Sequence, residues 1–180
     1  MSIARRSALA AALFTGLSLA ATIATAHGPT RQKVTEKIVI NAPAAKVWGL
    51  VKDFSALQAW HPAVAESPAS KGNEEGSVRE IKLKGGGALT ETLESWDAAK
   101  MRYGYRAKDG GALPVSNYSS TISVTADGAD KTIVEWRGGF YRASARNDPP
   151  PEGNDEAAVK AITGVYQGGL ANLKKLAESQ

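Results

Sequence analysis

The chain has 180 residues, with 22 Lys and Arg against 18 Asp and Glu, and it contains no cysteine. A chain of this length can form one domain with a sizeable hydrophobic core. The net charge of +4 is small and no cluster of Lys or Arg stands out, which argues against nucleic-acid binding. Without cysteine, disulfides and thiolate chemistry are excluded, so packing alone must stabilise the domain.

The first 26 residues have the pattern of a secretory signal peptide. Arg5 and Arg6 precede an apolar run over residues 8–23, and Ala24 and Ala26 fit the small-residue cleavage rule. The run is shorter than the roughly 20 residues that cross a membrane. We therefore predict that residues 1–26 are removed, which leaves one periplasmic domain, residues 27–180, with no stable membrane insertion.

Cleavage after Ala26 has two consequences for charge and chemistry. The loss of Arg5 and Arg6 lowers the net charge from +4 to +2. His27 becomes the N-terminus, where an amine and its own imidazole could chelate Cu(II). Two histidines and no cysteine otherwise give poor support for a metal centre, so we interpret His27 as incidental and predict no metal site.

The mature part begins with a strand and a short helix. Alternation in "KVTEKIVI" places Val34, Ile38 and Ile40 on one face of the strand. Asn41 is then positioned to cap a helix over the segment that contains "KVWGLV", where the apolar residues have helical spacing. The following "DFSALQAWHP" predicts a second short helix or turn that proline ends.

Beyond this segment the hydrophobic period becomes two. Strands are predicted for "SVREIKL", "ALTETLESW", "KMRYGYRA", "SNYSSTISVTA" and "KTIVEWRGGFYRA". Glycine-rich and aspartate-rich turns separate them. After the proline-rich hinge "ARNDPPPEGND", apolar residues recur every three or four positions from Asp155 to about Ala177, which predicts a long final helix.

This order of elements, with "INAPAAKVWGLVKDFSALQAWHPAV" after the first strand and "TGVYQGGLANLKKLAE" at the end, resembles the START-like, or polyketide cyclase-like (SRPBCC), superfamily. The resemblance covers the whole mature chain. It implies an α+β helix-grip fold, in which a curved antiparallel sheet of about seven strands encloses a cavity against a long C-terminal helix.

A narrower resemblance is carried by several segments in a fixed order. The segments "WHPAVAES", "LPVSNYSSTI", "VEWRGGFYR" and "NDPPPEGNDEAAVKA" are similar to those of periplasmic accessory proteins of bacterial methanol oxidation. None of them is a catalytic signature. The resemblance implies methanol dehydrogenase and its cytochrome as partners, and no cofactor.

Strand alternation places polar residues on faces that are otherwise apolar. Arg79 shares its face with two aliphatic residues, and so does Glu91 on the next strand; Tyr118 and Ser120 do the same further on. A buried charge must be paired or face a wet cavity. Arg79 and Glu91 are therefore predicted as partners, either as an internal structural salt bridge or as the floor of a ligand cavity.

Five further residues complete the predicted cavity. Ligand-binding members of the superfamily line their pockets from similar strand positions, and the resemblance implies that Glu135 is one of them. The opposite face of its strand is, however, the more apolar one. Gly164 and Gly168 lie on one face of the final helix, where glycines either allow close packing or leave room for a guest. Trp60 and His61 are predicted at the cavity wall and mouth, with a structural role for His61 as the alternative.

No catalytic residue can be named from the sequence. No second titratable residue stands at a diagnostic spacing from His61, so an acid/base pair is not recognisable. We therefore predict a non-enzymatic accessory protein. The alternatives are a carrier or sensor of a small apolar molecule, and an enzyme of the cyclase/dehydratase type.

Overall fold

The computed structural model describes residues 28–179. The predicted signal peptide and the N-terminal His27 lie outside this range. Among the described residues, no helix is both long and apolar enough to span a bilayer.

The first strand leads into the short helical segment that the sequence predicts. Strand β1 spans Gln32–Ile40, helix α1 spans Ala44–Val51, and a 3-10 turn spans Leu57–Ala59. The prediction that Asn41 caps α1 is wrong. Pro43 is the N-cap, and the Asn41 backbone N–H instead donates to a Glu178 carboxylate oxygen at 2.7 Å.

The sheet has seven antiparallel strands. After β1, the strands are β2 Val64–Glu66, β3 Val78–Leu83, β4 Ala88–Asp97, β5 Arg102–Ala107, β6 Val115–Ala126 and β7 Thr132–Arg142. Their spatial order is β1-β7-β6-β5-β4-β3-β2, so the chain returns after α1 to the far edge of the sheet. Sequential strands from β2 to β7 then pair as hairpins, and β7 closes onto β1.

The final helix, α2, spans Asp155–Glu178 and lies across the inner face of the sheet. The Asn154 side chain accepts a hydrogen bond from the Ala157 N–H at 2.8 Å, which caps the helix. Asp155 and Glu156 in the first turn and Lys175 in the last turn suit the helix dipole. The buried side of α2 is formed by Ala158, Ile162, Tyr166, Gly169, Leu170, Leu173 and Ala177.

The core lies between α2, α1 and the concave face of the sheet. It is rich in aromatic side chains, which bury large areas and pack at tilted or edge-to-face angles. Trp48 and Trp60 are buried in this core, at 7% and 1% exposure. The prediction of an α+β helix-grip fold with a curved antiparallel sheet is confirmed.

Candidate functional site

A small, partly open cavity lies between α2 and the half of the sheet that contains β3 and β4. Its volume is about 100 Å³. It is lined by Leu57, His61, Ala63, Val64, Arg79, Ile81, Leu83, Leu89, Glu91, Tyr105, Leu113, Tyr118, Trp136 and Val165. Most of these side chains are apolar, and the two charged ones are a pair.

Arg79 and Glu91 form this pair across neighbouring strands. They are directly opposite in the β3–β4 register, at 1% and 3% exposure. Arg79 donates from Nε to a Glu91 carboxylate oxygen at 2.8 Å, and its Nη2 lies 2.6 Å from the same oxygen. Its Nη1 donates to the Phe54 carbonyl at 3.1 Å, and the guanidinium carbon lies 4.1 Å from the centre of the Phe54 ring. The predicted burial and pairing of these two residues is confirmed.

Burial is the largest single influence on Arg79 and opposes its positive charge, but the Glu91 carboxylate, together with Tyr103 and Tyr105, raises the pKa of Arg79 on balance. The direct contact between the guanidinium and the carboxylate makes this a buried ion pair. A carboxylate held by a permanent guanidinium is a poor general base, because removing it from its partner exposes an uncompensated buried charge.

His61 is held by both ring nitrogens. Nε2 lies 3.0 Å from the Val165 carbonyl on α2, and Nδ1 accepts from the Ala63 N–H at 3.3 Å. These partners assign the neutral tautomer with the proton on Nε2. Burial lowers the pKa of His61, which favours that neutral form. His61 thus connects the segment after α1 to the middle of α2.

A network of hydroxyl and indole groups forms one wall of the cavity and continues behind it. The Tyr166 hydroxyl is 2.9 Å from the Tyr118 hydroxyl and 2.8 Å from Ser120 Oγ. Trp136 Nε1 donates to Ser120 Oγ at 3.0 Å and to the Tyr105 hydroxyl at 3.1 Å. Burial raises the pKa of Tyr105, Tyr118 and Tyr166, so the phenols stay protonated. Every member of this network has a partner, as buried polar groups require.

Tyr166 and Trp136 were not recognised from the sequence as polar members of the site. Both fit an apolar pattern, on α2 and on β7, and their rings stack with centroids 4.6 Å apart. The available signal was Gly138, because a Cβ at that position would collide with the Tyr166 hydroxyl. A glycine inside a strand often marks such a close approach.

The structure brings four of the nine predicted site residues to the cavity: His61, Arg79, Glu91 and Tyr118. Ser120 belongs to the network behind it. Trp60 packs against Trp136, with ring centroids 5.3 Å apart. Its Nε1 is the one fully buried side-chain nitrogen or oxygen among residues 28–179 that lacks a hydrogen-bond partner.

The other three predicted residues do not line this cavity. Glu135 lies on the outer face of β7, where its carboxylate is 2.8 Å from Lys37 Nζ. Gly164 is exposed and Gly168 half-buried, and a Cβ at either position would meet open space. The glycine that allows close packing is Gly169, where a Cβ would lie 2.7 Å from His61 Cδ2.

Residues 28–179 contain no group of three or more His, Cys, Asp or Glu side chains that could hold a metal ion. The single histidine in this range already has a partner at each ring nitrogen.

Comparison with known families identifies the class of protein. A family model described as "Polyketide cyclase / dehydrase and lipid transport" matches residues 31–178. The chain belongs to this family, which agrees with the helix-grip architecture and with the resemblance seen in the sequence.

Particular relatives differ in what they do. The chain is 39% identical over 102 residues to abscisic acid receptor PYL10 of Arabidopsis thaliana, covering 53% of this chain and 55% of the receptor. The chain thus spans about half the length of the curated relatives it matches.

Among solved structures, protein XoxI from Bacillus cereus is 26% identical with a TM-score of 0.70, covering 82% of this chain and 96% of XoxI. The ZhuI aromatase/cyclase of Streptomyces sp. R1128 is 17% identical with a TM-score of 0.66, covering 83% and 94% of the two chains. At that identity the cyclase shares the fold alone.

Proposed function

We propose that this protein is an exported, non-enzymatic accessory of periplasmic methanol oxidation, of the MxaD type. In this role it aids the interaction of methanol dehydrogenase with its cytochrome electron acceptor. The narrower sequence resemblance supports the proposal, because "WHPAV", "NYSSTI", "FYR" and "NDPPPEGNDEAA" occur in the same order as in those accessory proteins.

The state of the interior is the observation that carries the non-enzymatic part of the proposal. Arg79 and Glu91 neutralise each other, and both ring nitrogens of His61 are hydrogen-bonded. General acid/base catalysis needs a group that can reach the substrate in the correct protonation state. A cavity of about 100 Å³ also falls below the roughly 300–1,000 Å³ of typical ligand sites. Such an interior favours a function in which the outer surface of the protein contacts its partners.

A reconstituted electron-transfer assay tests the proposal. Methanol dehydrogenase reduces its own cytochrome in the presence or absence of the mature protein. We expect faster cytochrome reduction and unchanged turnover with an artificial dye acceptor, because the protein would act on the contact between partners. If neither rate changes at saturating protein, and no complex forms at low salt, the accessory role is rejected.

Export is a separate part of the proposal. We expect the mature protein to begin at His27, since Ala24 and Ala26 satisfy the cleavage rule. N-terminal sequencing of the periplasmic form measures this directly. Another starting residue, or recovery in the membrane fraction, would contradict it.

A carrier or sensor of a small apolar molecule is the second candidate. The lining favours this role, because Ile81, Leu89 and Leu113 surround the space beside the paired charges. Native mass spectrometry of protein captured gently from periplasm distinguishes the two candidates. A copurifying small molecule supports the carrier, whereas a stable complex with a protein supports the accessory role.

A further inference from the structure

The outer face of the sheet carries a groove that the helix-grip cavity does not involve. Its volume is about 390 Å³, and it crosses β1, β7, β6, β5 and β4 on the side opposite α2. Small residues make this depression. Gly139 and Ser119 face each other in the β6–β7 register, and Gly104 and Thr121 do so in the β5–β6 register.

Cations surround the floor of the groove. Arg31, Lys33 and Arg137 line it. Lys33 is opposite Gly139 in the register, and the Arg31 guanidinium lies over the same glycine, where a Cβ would be 2.8 Å from Arg31 Nη2. Because Gly139 has no side chain, the Arg31 guanidinium can lie close to the backbone of the sheet. A side chain at position 139 would displace it.

These cations have few acidic partners. Glu94 is the one carboxylate among residues 28–179 that lines the groove, and it already forms an ion pair with Arg106 at 2.6 Å. The acid nearest to Arg137 is Glu135, at 3.9 Å, and its carboxylate is 2.8 Å from Lys37.

Lys33 and Arg31 form no ion pair within residues 28–179. The groove therefore has an excess of positive charge, although the whole chain has a net charge of only +4.

Geometry and chemistry together define the occupant. In the part of the chain that the structure describes, no large apolar side chain lines the groove, so a hydrophobic anchor would find no complementary surface there. Lys33 and Arg137 occupy diagonal positions on adjacent strands, about 7–8 Å apart between Cα atoms. Alternate residues of an extended chain have a similar spacing, about 6.6–6.8 Å.

We infer that this groove is a docking surface for an extended segment of a protein partner that carries carboxylates at alternate positions. The inference adds a binding surface to the proposed accessory function, and it rests on that function for the identity of the partner as a protein of methanol oxidation. Binding of the acidic segment does not depend on that setting. Charge complementarity of this kind fixes the register of partners and increases the association rate.

An acidic peptide probe tests the inference. The probe is a fluorescein-labelled peptide of alternating Glu and Ala, about a dozen residues long, which would span about 40 Å when extended. Fluorescence anisotropy measures its binding to the mature protein at low salt and at physiological salt. We expect saturable binding that weakens as salt rises, since exposed charges are screened.

Two variants test charge and shape separately. Lys33→Gln combined with Arg137→Gln should weaken peptide binding by roughly tenfold, since each exposed ion pair contributes a modest part of the affinity. Thr121→Tyr should weaken it by filling the groove with no change in charge.

The matched control for charge is Lys71→Gln combined with Lys131→Gln. It removes the same charge from two exposed lysines in loops away from the groove. The control should bind the peptide as the unmodified protein does. All variants are compared by urea unfolding, so that a variant that does not fold is recognised.

Several results would overturn the inference. Absence of peptide binding at low salt is one, and equal loss in the control pair is another, because it would indicate attraction by overall charge. Binding of phosphatidylglycerol vesicles in place of the peptide would assign the groove to a membrane surface. Because the assay contains no methanol dehydrogenase, peptide binding without faster cytochrome reduction would reject the accessory role and leave the docking surface intact.

Discussion

Arg79 and Glu91 determine much of the character of the interior. Their carboxylate–guanidinium contact at 2.6 Å, with almost no exposure, places two charges where solvent cannot compensate the loss of either. Such a pair is weak evidence of net stabilisation, since removing ions from water is costly. Breaking the pair is a different matter, because one charge then remains buried alone.

We predict that Glu91→Ala and Arg79→Ala each lower the free energy of unfolding by about 3–5 kcal/mol, because each substitution leaves the other residue of the pair as an uncompensated buried charge. Denaturant unfolding of both single variants and the double variant measures this. The losses should be strongly non-additive. The control is Arg79→Met with Glu91→Leu, which replaces the pair by apolar groups and should be nearly neutral. Additive losses below about 0.5 kcal/mol each would contradict the burial of the pair.

His61 gives the stability a pH dependence with a defined sign. Burial is the largest cause of its lowered pKa, and the charges of Arg79 and Lys84 lower it further, whereas the hydrogen bond to the Val165 carbonyl raises it. The unfolded chain therefore takes up a proton at a higher pH than the folded chain does. The stability that His61 contributes is fully present above its ordinary pKa of 6.5. It is lost as the pH falls below 6.5 toward the lowered pKa of His61 in the folded protein.

We predict that the free energy of unfolding falls as pH is lowered from about 7.5 to 5, and that His61→Gln makes this slope shallower. Urea unfolding at a series of pH values measures the slope. His27→Gln is the matched control, because it removes the only other histidine in the sequence. An identical slope in the unmodified protein and in His61→Gln would show that His61 does not titrate differently on folding.

At the scale of the element, two glycines of α2, Gly169 and Gly164, have different roles. Gly169 is buried, and a Cβ there would lie 2.7 Å from His61 and 2.8 Å from Trp136. Gly164 is exposed, with nothing within 4 Å of an added Cβ. Only Gly169 is required for the helix to approach the aromatic side chains of the core.

We predict opposite effects of the same substitution at these two positions. Gly169→Ala should destabilise by about 1–3 kcal/mol, because overpacking forces His61 and Trp136 to move. Gly164→Ala should stabilise by about 0.4–1 kcal/mol, because alanine favours helix where there is space. Thermal or urea unfolding measures both effects. Stabilisation by Gly169→Ala would mean that the contact between α2 and His61 is looser than the structure describes.

Across the whole molecule, the enclosed volume limits what the interior can bind. The cavity between the sheet and α2 has a volume of only about 100 Å³, whereas an apolar cavity of about 150 Å³ can hold benzene. A larger guest would require α2 or the strands to move apart. Any ligand of ordinary size would therefore have to displace core side chains.

We predict that naphthalene does not raise the melting temperature of the unmodified protein, and that Leu113→Ala allows benzene to do so. The substitution removes a lining side chain and enlarges the cavity, and a ligand that binds only the folded state stabilises it. Leu50→Ala is the control, because Leu50 packs against the core but does not line the cavity. A shift with naphthalene in the unmodified protein would show that the cavity opens readily.

The sequence by itself determined one central contact and the order and type of the elements, apart from the short edge strand β2, which its pattern did not predict. Alternation along β3 and β4 placed Arg79 and Glu91 on apolar faces, and adjacent hairpin strands made them neighbours. Tyr118 and Ser120 were identified in the same way on β6. This worked because side-chain direction in a strand repeats every two residues, so local pattern alone assigns the face.

Only the tertiary structure decided which residues share the cavity and how large it is. The hydrogen bond from His61 to Val165 joins residues 104 positions apart, and the contact between Ser120 and Tyr166 joins residues 46 apart. Local periodicity carries no information on such distances. The sequence also could not distinguish the role of Gly169 from that of Gly164, because both lie in the same predicted helix and only the tertiary structure shows that Gly169 faces His61. The cavity volume depends on how side chains from distant segments interdigitate, which only the packed chain defines.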